Sequence, residues 1–386
     1  MNNIKTQTHK SRVEAILNGE DPGSFVFAPN LWQWFYHHKH HKSLPREIAH
    51  CESQLDLIRY LGLAVFSRNV YSDQTAYWFG GLADCSFGDL DVQIKQETVG
   101  SDIHTRIKVK TTAGTLEETL RYIFSDSTVV QDTFLLADYA NQLDAIEQFV
   151  QKRRWTFNTK AYERTVDEIG DDGCLIAGEF FSPLKMLHLI LGPVNTTYMI
   201  MDFPEVITRM CETHEKAQLD LVEQMAKAGV PAMMAMDNLD TAFHPPYYIN
   251  QYCASYYEKA SQICHKYGSR FFIHACGQQK ANLKIISDLG IDGLEGVAYP
   301  PMGNVSLLES LEETHDRFII TGGISATEIE TLKTKKAVFD YIEKLFTELK
   351  PFRHRFVLAP SCNTPINATF DQILWFRQAW MKFKDI

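Results

Sequence analysis

From residue 174 to the end, the sequence returns six times to one device, a short apolar run followed by a helical stretch, and this rhythm restricts its possible folds more than any other feature. The runs fall at 174–179, 232–237, 270–274, 293–297, 317–322 and 356–361. Phe271-Phe272-Ile273 and Phe318-Ile319-Ile320 are continuous rather than alternating, as expected of strands covered on both faces in a parallel sheet. Helical periodicity fills the gaps at 204–228, 246–267, 280–289, 306–313 and 328–349, with a last stretch at 367–382. Upstream, 24–30 and 63–68 add two more runs, the second behind a helical segment closed by Gly62. Eight short strands alternating with helices predict an α/β fold, specifically a (β/α)8 TIM barrel. An open doubly wound sheet shares the rhythm, but no Gly-x-Gly-x-x-Gly follows a strand and no phosphate-binding Gly-Lys-Ser/Thr loop occurs.

The rhythm breaks between residues 71 and 132. There the chain alternates apolar and polar residues, as in Asp91-Val92-Gln93-Ile94-Lys95-Gln96 and Thr105-Arg106-Ile107-Lys108-Val109-Lys110, with turns at Gly100-Ser101-Asp102 and Ala113-Gly114. That pattern predicts an antiparallel β meander with one wet face, inserted in the N-terminal half as a β-rich subdomain of a single domain spanning 1–386. The insert is placed either to cover a pocket or to make a homodimer contact.

Composition narrows the classes of function. With 45% hydrophobic and 22% charged residues the chain reads as soluble and globular. A formal net charge of −10 and the lack of a basic block disfavour nucleic acid as a partner. Residues 1–6 lack the apolar core of a signal peptide, and no apolar run approaches the roughly 18 residues of a membrane span, so a cytoplasmic protein is expected. Its eight cysteines, at 51, 85, 174, 211, 253, 264, 276 and 362, follow no disulfide framework and are expected to be thiols, mostly core fillers. The histidine-rich run 37–41 reads as a solvated loop or helix start.

In a barrel the chemistry gathers where the strands end. The polar residues at those ends are Asn30, Arg68, Glu179, Asp237, His274 with Cys276, Glu295, Gly322-Gly323 and Cys362. His274 and Cys276, two apart, project to one side about 7 Å from each other. One imidazole and two thiolates suit zinc, with a carboxylate oxygen, water or substrate atom in fourth place. The plain alternative is a buried histidine beside two ordinary core cysteines. Glu179 and Asp237 are candidates to orient substrate or move a proton, and structural hydrogen bonding is an equal alternative. Trp32, Trp34, Phe35 and Tyr36, with Tyr71, Tyr77, Trp78 and Phe79, cluster after the first two strands as candidate walls of an aromatic pocket, against ordinary packing. Asn238 and Tyr299 are candidate ligand contacts by placement alone.

Several segments carry a family resemblance. Phe272-Ile273-His274-Ala275-Cys276-Gly277, Gly290-Ile291-Asp292-Gly293-Leu294-Glu295, Pro300-Pro301-Met302-Gly303-Asn304-Val305 and Gly322-Gly323-Ile324 resemble the uroporphyrinogen decarboxylase superfamily. So do Asp202-Phe203-Pro204-Glu205-Val206-Ile207, Ala228-Gly229 and Met236-Asp237-Asn238, so the likeness spans most of 175–385. The His-x-Cys with a late Cys is similar to the superfamily's zinc methyltransferases, which exchange methyl groups with corrinoid proteins. The resemblance implies a (β/α)8 barrel with zinc on His274, Cys276 and Cys362, and by looser analogy on Glu295. The decarboxylases' motif Met-Arg-Gln-Ala-Gly-Arg has no counterpart near residues 30–36, and a porphyrinogen's many carboxylates would need cations that the strand ends scarcely offer. The aromatic residues favour transfer from a phenyl methyl ether, a methoxylated aromatic, to Co(I). No Asp-x-His-x-x-Gly motif is present, so the corrinoid (cobalamin) is expected on a separate protein. A methylcobalamin:thiol methyltransferase is the alternative; a decarboxylase and a non-enzymatic, zinc-stabilised binding protein rank lower.

Overall fold

The computed structural model describes residues 7–68, 70 and 81–386, with Glu179 described by its backbone alone. The strands in chain order are β1 (Val26–Phe27), β2 (Val65–Ser67), β3 (Ala83–Ser86), β4 (Asp91–Val99), β5 (Asp102–Thr111), β6 (Gly114–Ile123), β7 (Thr128–Thr133) and β8 (Arg154–Phe157). They continue with β9 (Gly173–Leu175), β10 (Ala177–Phe180), β11 (Ala232–Ala235), β12 (Arg270–His274), β13 (Gly293–Val297), β14 (Ile319–Ile324) and β15 (Phe356–Pro360). Seven of them form one parallel sheet in the order β1-β15-β14-β13-β12-β11-β10, a curved α/β sheet of TIM-like type. The run 174–179 is split at Ile176: β9 pairs with β2, and β10 continues into the large sheet beside β11. Between β1 and β2 one bond is made just before β2, from Ala64 N to Phe27 O at 3.0 Å.

Continuous apolar strands are needed because each has two dry faces. On one side Met233, Phe271, Ile273, Leu294, Ile320 and Phe356 pack beneath the helices. The alternate residues, among them Val26, Phe66, Ile176, Met234, Phe272, Ile319 and Val357, form a separate interior cluster. Phe66 of β2 meets Phe272 of β12 edge to face, ring centroids 5.7 Å apart. These two strands are not hydrogen-bonded neighbours, so their contact runs through the interior.

The alternating segment forms a four-stranded antiparallel sheet, β4-β5-β6-β7. Ile107, Val109, Leu116, Leu120 and Tyr122 are its buried apolar residues, and the helix Tyr139–Lys152 lies against β5 and β6. β4 is paired on one side only and is largely exposed, so its Ile94 remains in water despite the alternation. Residues 71–80, with Tyr71, Tyr77, Trp78 and Phe79, lie outside the described residues.

Three local readings are revised. Residues 32–40 form a regular helix, Trp32–His40, so the histidine run 37–41 ends a helix where a loop or a helix start was expected. The stretch 328–349 is two helices, Ala326–Thr331 and Lys335–Leu349. Two helices absent from the sequence reading, Pro183–Leu191 and Pro193–Asp202, follow β10, each opened by a proline at its first position. Among the described residues no helix is long and apolar enough to cross a membrane.

A candidate metal centre

β12 ends at His274, and the chain turns at once through Cys276-Gly277. Gly277 has φ +96°, and a Cβ there would stand 2.1 Å from Asp240 Oδ2, so only glycine admits this turn. Parallel register sets Glu295 of β13 opposite His274. Cys362 follows β15, whose exit is anchored by Ser361: its N donates to Ile324 O (2.9 Å) and its Oγ to Val297 O (2.8 Å).

The three chain-distant residues converge. His274 Nε2 lies 3.1 Å from Cys276 Sγ and 3.8 Å from Cys362 Sγ. One donor atom from each of the three falls within 4.8 Å of the others, the one such group of three or more histidine, cysteine or acidic residues among the described residues. The imidazole's other nitrogen, Nδ1, donates to Glu295 Oε2 at 2.7 Å, which leaves the Nε2 lone pair facing the sulfurs. The same Glu295 oxygen accepts from buried Arg68. An imidazole and two thiols at this spacing match the donor set and reach of a four-coordinate zinc, and a carboxylate behind the histidine is the usual outer partner of such a ligand.

Electrostatics divides the two thiols. A hydrogen bond from Cys276 holds the Cys362 thiol well below its usual pKa, helped against burial by the charges of His274 and Arg68. Cys276, the donor of that bond and itself buried, is pushed well up. For His274, burial and the Arg68 charge pull downward, but Cys362 and the Glu295 bond outweigh them and its pKa rises.

The expected site residues are distributed as follows. His274, Cys276 and Cys362 come together. Glu295, expected as a fourth ligand, stands behind the imidazole because its carboxylate is taken by Nδ1 and Arg68. Asp237 is wholly buried: Oδ1 accepts from Ser182 N at 2.9 Å and Oδ2 from Tyr257 Oη, and burial raises its pKa. Oδ1 thus pins the entry to the helix Pro183–Leu191, and Oδ2 ties it to Tyr257 on the helix Ala254–Lys266. The side chain of Glu179 lies outside the described residues. Asn238 is exposed with φ 52°, and its N donates to His274 O at 2.9 Å, tying the loop after β11 to the end of β12. Tyr299 is half-buried, and its neighbours Glu348, Glu328 and the Leu307 backbone belong to the surrounding helices.

Among the aromatic residues, Trp34 is core: its Nε1 donates to Ala368 O at 2.7 Å and its ring stacks near Phe370. Tyr36 is half-buried against Phe35. Trp32 is half-buried, and its Nε1 has no hydrogen-bond partner among the described residues. Arg68 had been placed at a strand end without a role; the signal was an arginine and a glutamate, both at ends of apolar runs, where a buried charge requires an opposite one. Lys185, His188 and His244 were missed with the helix Pro183–Leu191.

On the helix Pro204–Lys227, His214 donates through Nε2 to Phe181 O at 2.9 Å and faces Arg153 at 3.4 Å. Burial, with the Arg153 charge, pushes its pKa down to about 3. The folded value lies below the unfolded one near 6.5, so the unfolded chain takes up this proton first as pH falls. Stability is therefore expected to decline from about pH 6.5 toward pH 3. Thermal melts of His214→Gln, which keeps a donor and cannot ionise, should show a shallower decline; identical pH profiles would remove His214 as the cause.

Comparison with known proteins follows the same outline. The family model for uroporphyrinogen decarboxylase (URO-D) matches residues 121–383. A methyltransferase from Methanosarcina mazei has a similar fold, TM-score 0.61 with 14% identity, over 98% of this chain and 99% of that one. An intracellular xylanase from Thermoanaerobacterium saccharolyticum aligns at TM-score 0.31 and 13% identity over 54% of this chain and 72% of that one, too distant to bear on the fold. No curated protein matches the sequence. With its strand rhythm, the convergence of β12, β13 and β15 on one centre, and a family match over well over half its length, the chain belongs to the uroporphyrinogen decarboxylase family.

Proposed function

We propose that this protein is a zinc-dependent methyltransferase that moves a methyl group from a methoxylated aromatic to the Co(I) corrinoid of a separate protein. One observation supports this above the others: two thiols and an imidazole from distant strands converge, with the imidazole oriented from behind by Glu295 and Arg68. His274, Cys276 and Cys362 would hold the zinc. When bound, the metal supplies Lewis acidity that offsets the negative charge developing on the ether oxygen. In the transfer, Co(I) forms a bond to the methyl carbon, the carbon–oxygen bond breaks, and the phenolate leaves with the bonding electron pair. Glu295 keeps Nε2 rather than Nδ1 toward the thiols, and Arg68 pairs with the Glu295 carboxylate behind it. The methyltransferase fold neighbour agrees with this reading, and so does the lack of the decarboxylases' arginine motif near residues 30–36.

The proposal extends to architecture. The Ala64–Phe27 bond and the Phe66–Phe272 contact support closure of the parallel strands into a (β/α)8 barrel, with 71–132 as an insert in a single domain. Eight free cysteines, two of them at the centre, agree with a cytoplasmic enzyme. An open mouth would admit the corrinoid protein, and the insert would serve as a cover or a homodimer contact.

The test is spectroscopic. Zinc-loaded protein mixed with a Co(I) corrinoid protein and 2-methoxyphenol is expected to produce the methylcobalt spectrum and an equivalent of catechol. Absence of methylcobalt with ethers, together with rapid loss of methylcobalt in the presence of a thiol, would reverse the direction in favour of a thiol methyltransferase.

A further inference from the structure

Beside the thiols lies a second polar cluster. Lys185 and His188 stand one turn apart on the helix Pro183–Leu191, on the same face, and His244 comes from the loop after β11. The two imidazoles meet edge to face, ring centroids 5.1 Å apart. His244 is almost wholly buried, and neither of its ring nitrogens has a hydrogen-bond partner among the described residues. A neutral imidazole always carries one N–H, and burying it without an acceptor is costly.

The loop that presents His244 is locked to the turn that presents Cys276. Asn282 Nδ2 donates to His244 O at 2.9 Å, Gln278 N donates to Asp240 Oδ2 at 2.8 Å, and Thr241 N donates to Gln278 O at 2.9 Å. Lys185 is partly buried in the same region, where it feels the charges of Asp237 and Cys276 and acts on both imidazoles. It forms no ion pair among the described residues, and Asp237, the carboxylate whose charge it feels, is engaged elsewhere. Asp237 binds Ser182 N and Tyr257, and Asp240 binds Ala242 N and Gln278 N. Burial, with the Lys185 charge, pushes His188 down to about 4, so it stands neutral with one N–H to give. Phe243 adds an exposed ring 6.3 Å from His188. Lys185, without an ion pair among the described residues, and two imidazoles, one of them without a hydrogen-bond partner there, thus share one neighbourhood.

We infer that Lys185, His188 and His244 form a carboxylate-binding subsite beside the thiol centre, and that the methoxylated aromatic is an aromatic acid. The inference rests on the methyl-ether reading above for the remainder of the substrate. A carboxylate accepts charge-assisted bonds from the ammonium and the two imidazoles, while the aromatic ring spans the space toward the sulfurs.

Calorimetry on the full-length, zinc-loaded protein tests this without turnover, using 4-methoxybenzoate, its neutral amide 4-methoxybenzamide, and inorganic phosphate. The acid is expected to bind about tenfold or more tighter than the amide, as one desolvated charge-assisted contact allows, and phosphate to bind weakly. Lys185→Met is expected to bring the acid down to the affinity of the amide and leave the amide unchanged, and Lys185→Arg to restore part of the difference. Equal affinities in the unaltered protein, tighter binding of phosphate than of the acid, no measurable binding of any probe, or a preference that survives Lys185→Met would overturn the subsite. The wild-type comparison stands even if a variant misfolds. Selective acid binding without methylcobalt formation keeps the subsite and removes the methyl-ether function; methylcobalt formed equally well from neutral ethers, with no effect of Lys185, does the reverse.

Discussion

Replacing Cys362 with serine is expected to strip the protein of most of its zinc and to lower methyl transfer by more than the roughly 10–100-fold that losing an outer-shell partner costs. The physical basis is the donor set. Cys362 is the thiol whose pKa is drawn well down by the Cys276 hydrogen bond and the charges of His274 and Arg68, and a serine hydroxyl at that place is a far weaker acid. His274 and Cys276 alone leave zinc with two protein ligands, too few for a site that retains its metal. Elemental analysis after dialysis, beside the Co(I) assay, measures both effects. Cys51→Ser, at a buried cysteine outside the donor group, is the control and should keep its metal. Full zinc occupancy and unimpaired transfer in Cys362→Ser would end the metal-centre proposal.

Arg68→Met is the second large effect, and it acts on folding. Arg68 and Glu295 are both buried, and their ion pair continues into the bond with His274. Methionine fills much of the arginine's stem volume but leaves the Glu295 carboxylate without its cation in a dry site. Breaking such a pair from one side costs about 3–5 kcal/mol. Urea unfolding of the metal-free protein isolates this term from zinc binding. Adding Glu295→Gln should recover at least about 1 kcal/mol of the loss, since the stranded charge is then gone. A single-variant loss below about 1 kcal/mol, or strict additivity in the double variant, would show that Arg68 does not balance Glu295.

How far the sequence could be read depended on whether a property was local. Strand positions at 270–274, 293–297 and 356–361 were legible because a strand covered on both faces must be apolar throughout, and that shows in five residues. The pair His274 and Cys276 was legible because period-two geometry sets both on one side. The role of Glu295 was not. Whether a carboxylate at a strand end ligates a metal or backs a histidine depends on lateral register with β12 and on Arg68, 227 residues away along the chain. Trp34 misled for a related reason: an indole in an aromatic run looks the same from the sequence whether it lines a pocket or, as here, donates to Ala368 across the molecule. The helix Pro183–Leu191 escaped because its apolar residues surround it almost completely, which removes the one-sided periodicity that marks a surface helix.

By itself the sequence determined the alternation of buried strands and helices, the antiparallel pattern within the stretch 71–132, and the presence of soft metal donors at two strand ends, because each follows from side chains within a few residues of one another. Only the tertiary structure decided that Cys362 meets His274 and Cys276, that Glu295 stands behind the imidazole with Arg68, and that Lys185 shares a buried neighbourhood with two histidines. Those relations depend on which strands lie side by side and on where charges are stripped of water, and neither is written in any short stretch of the chain.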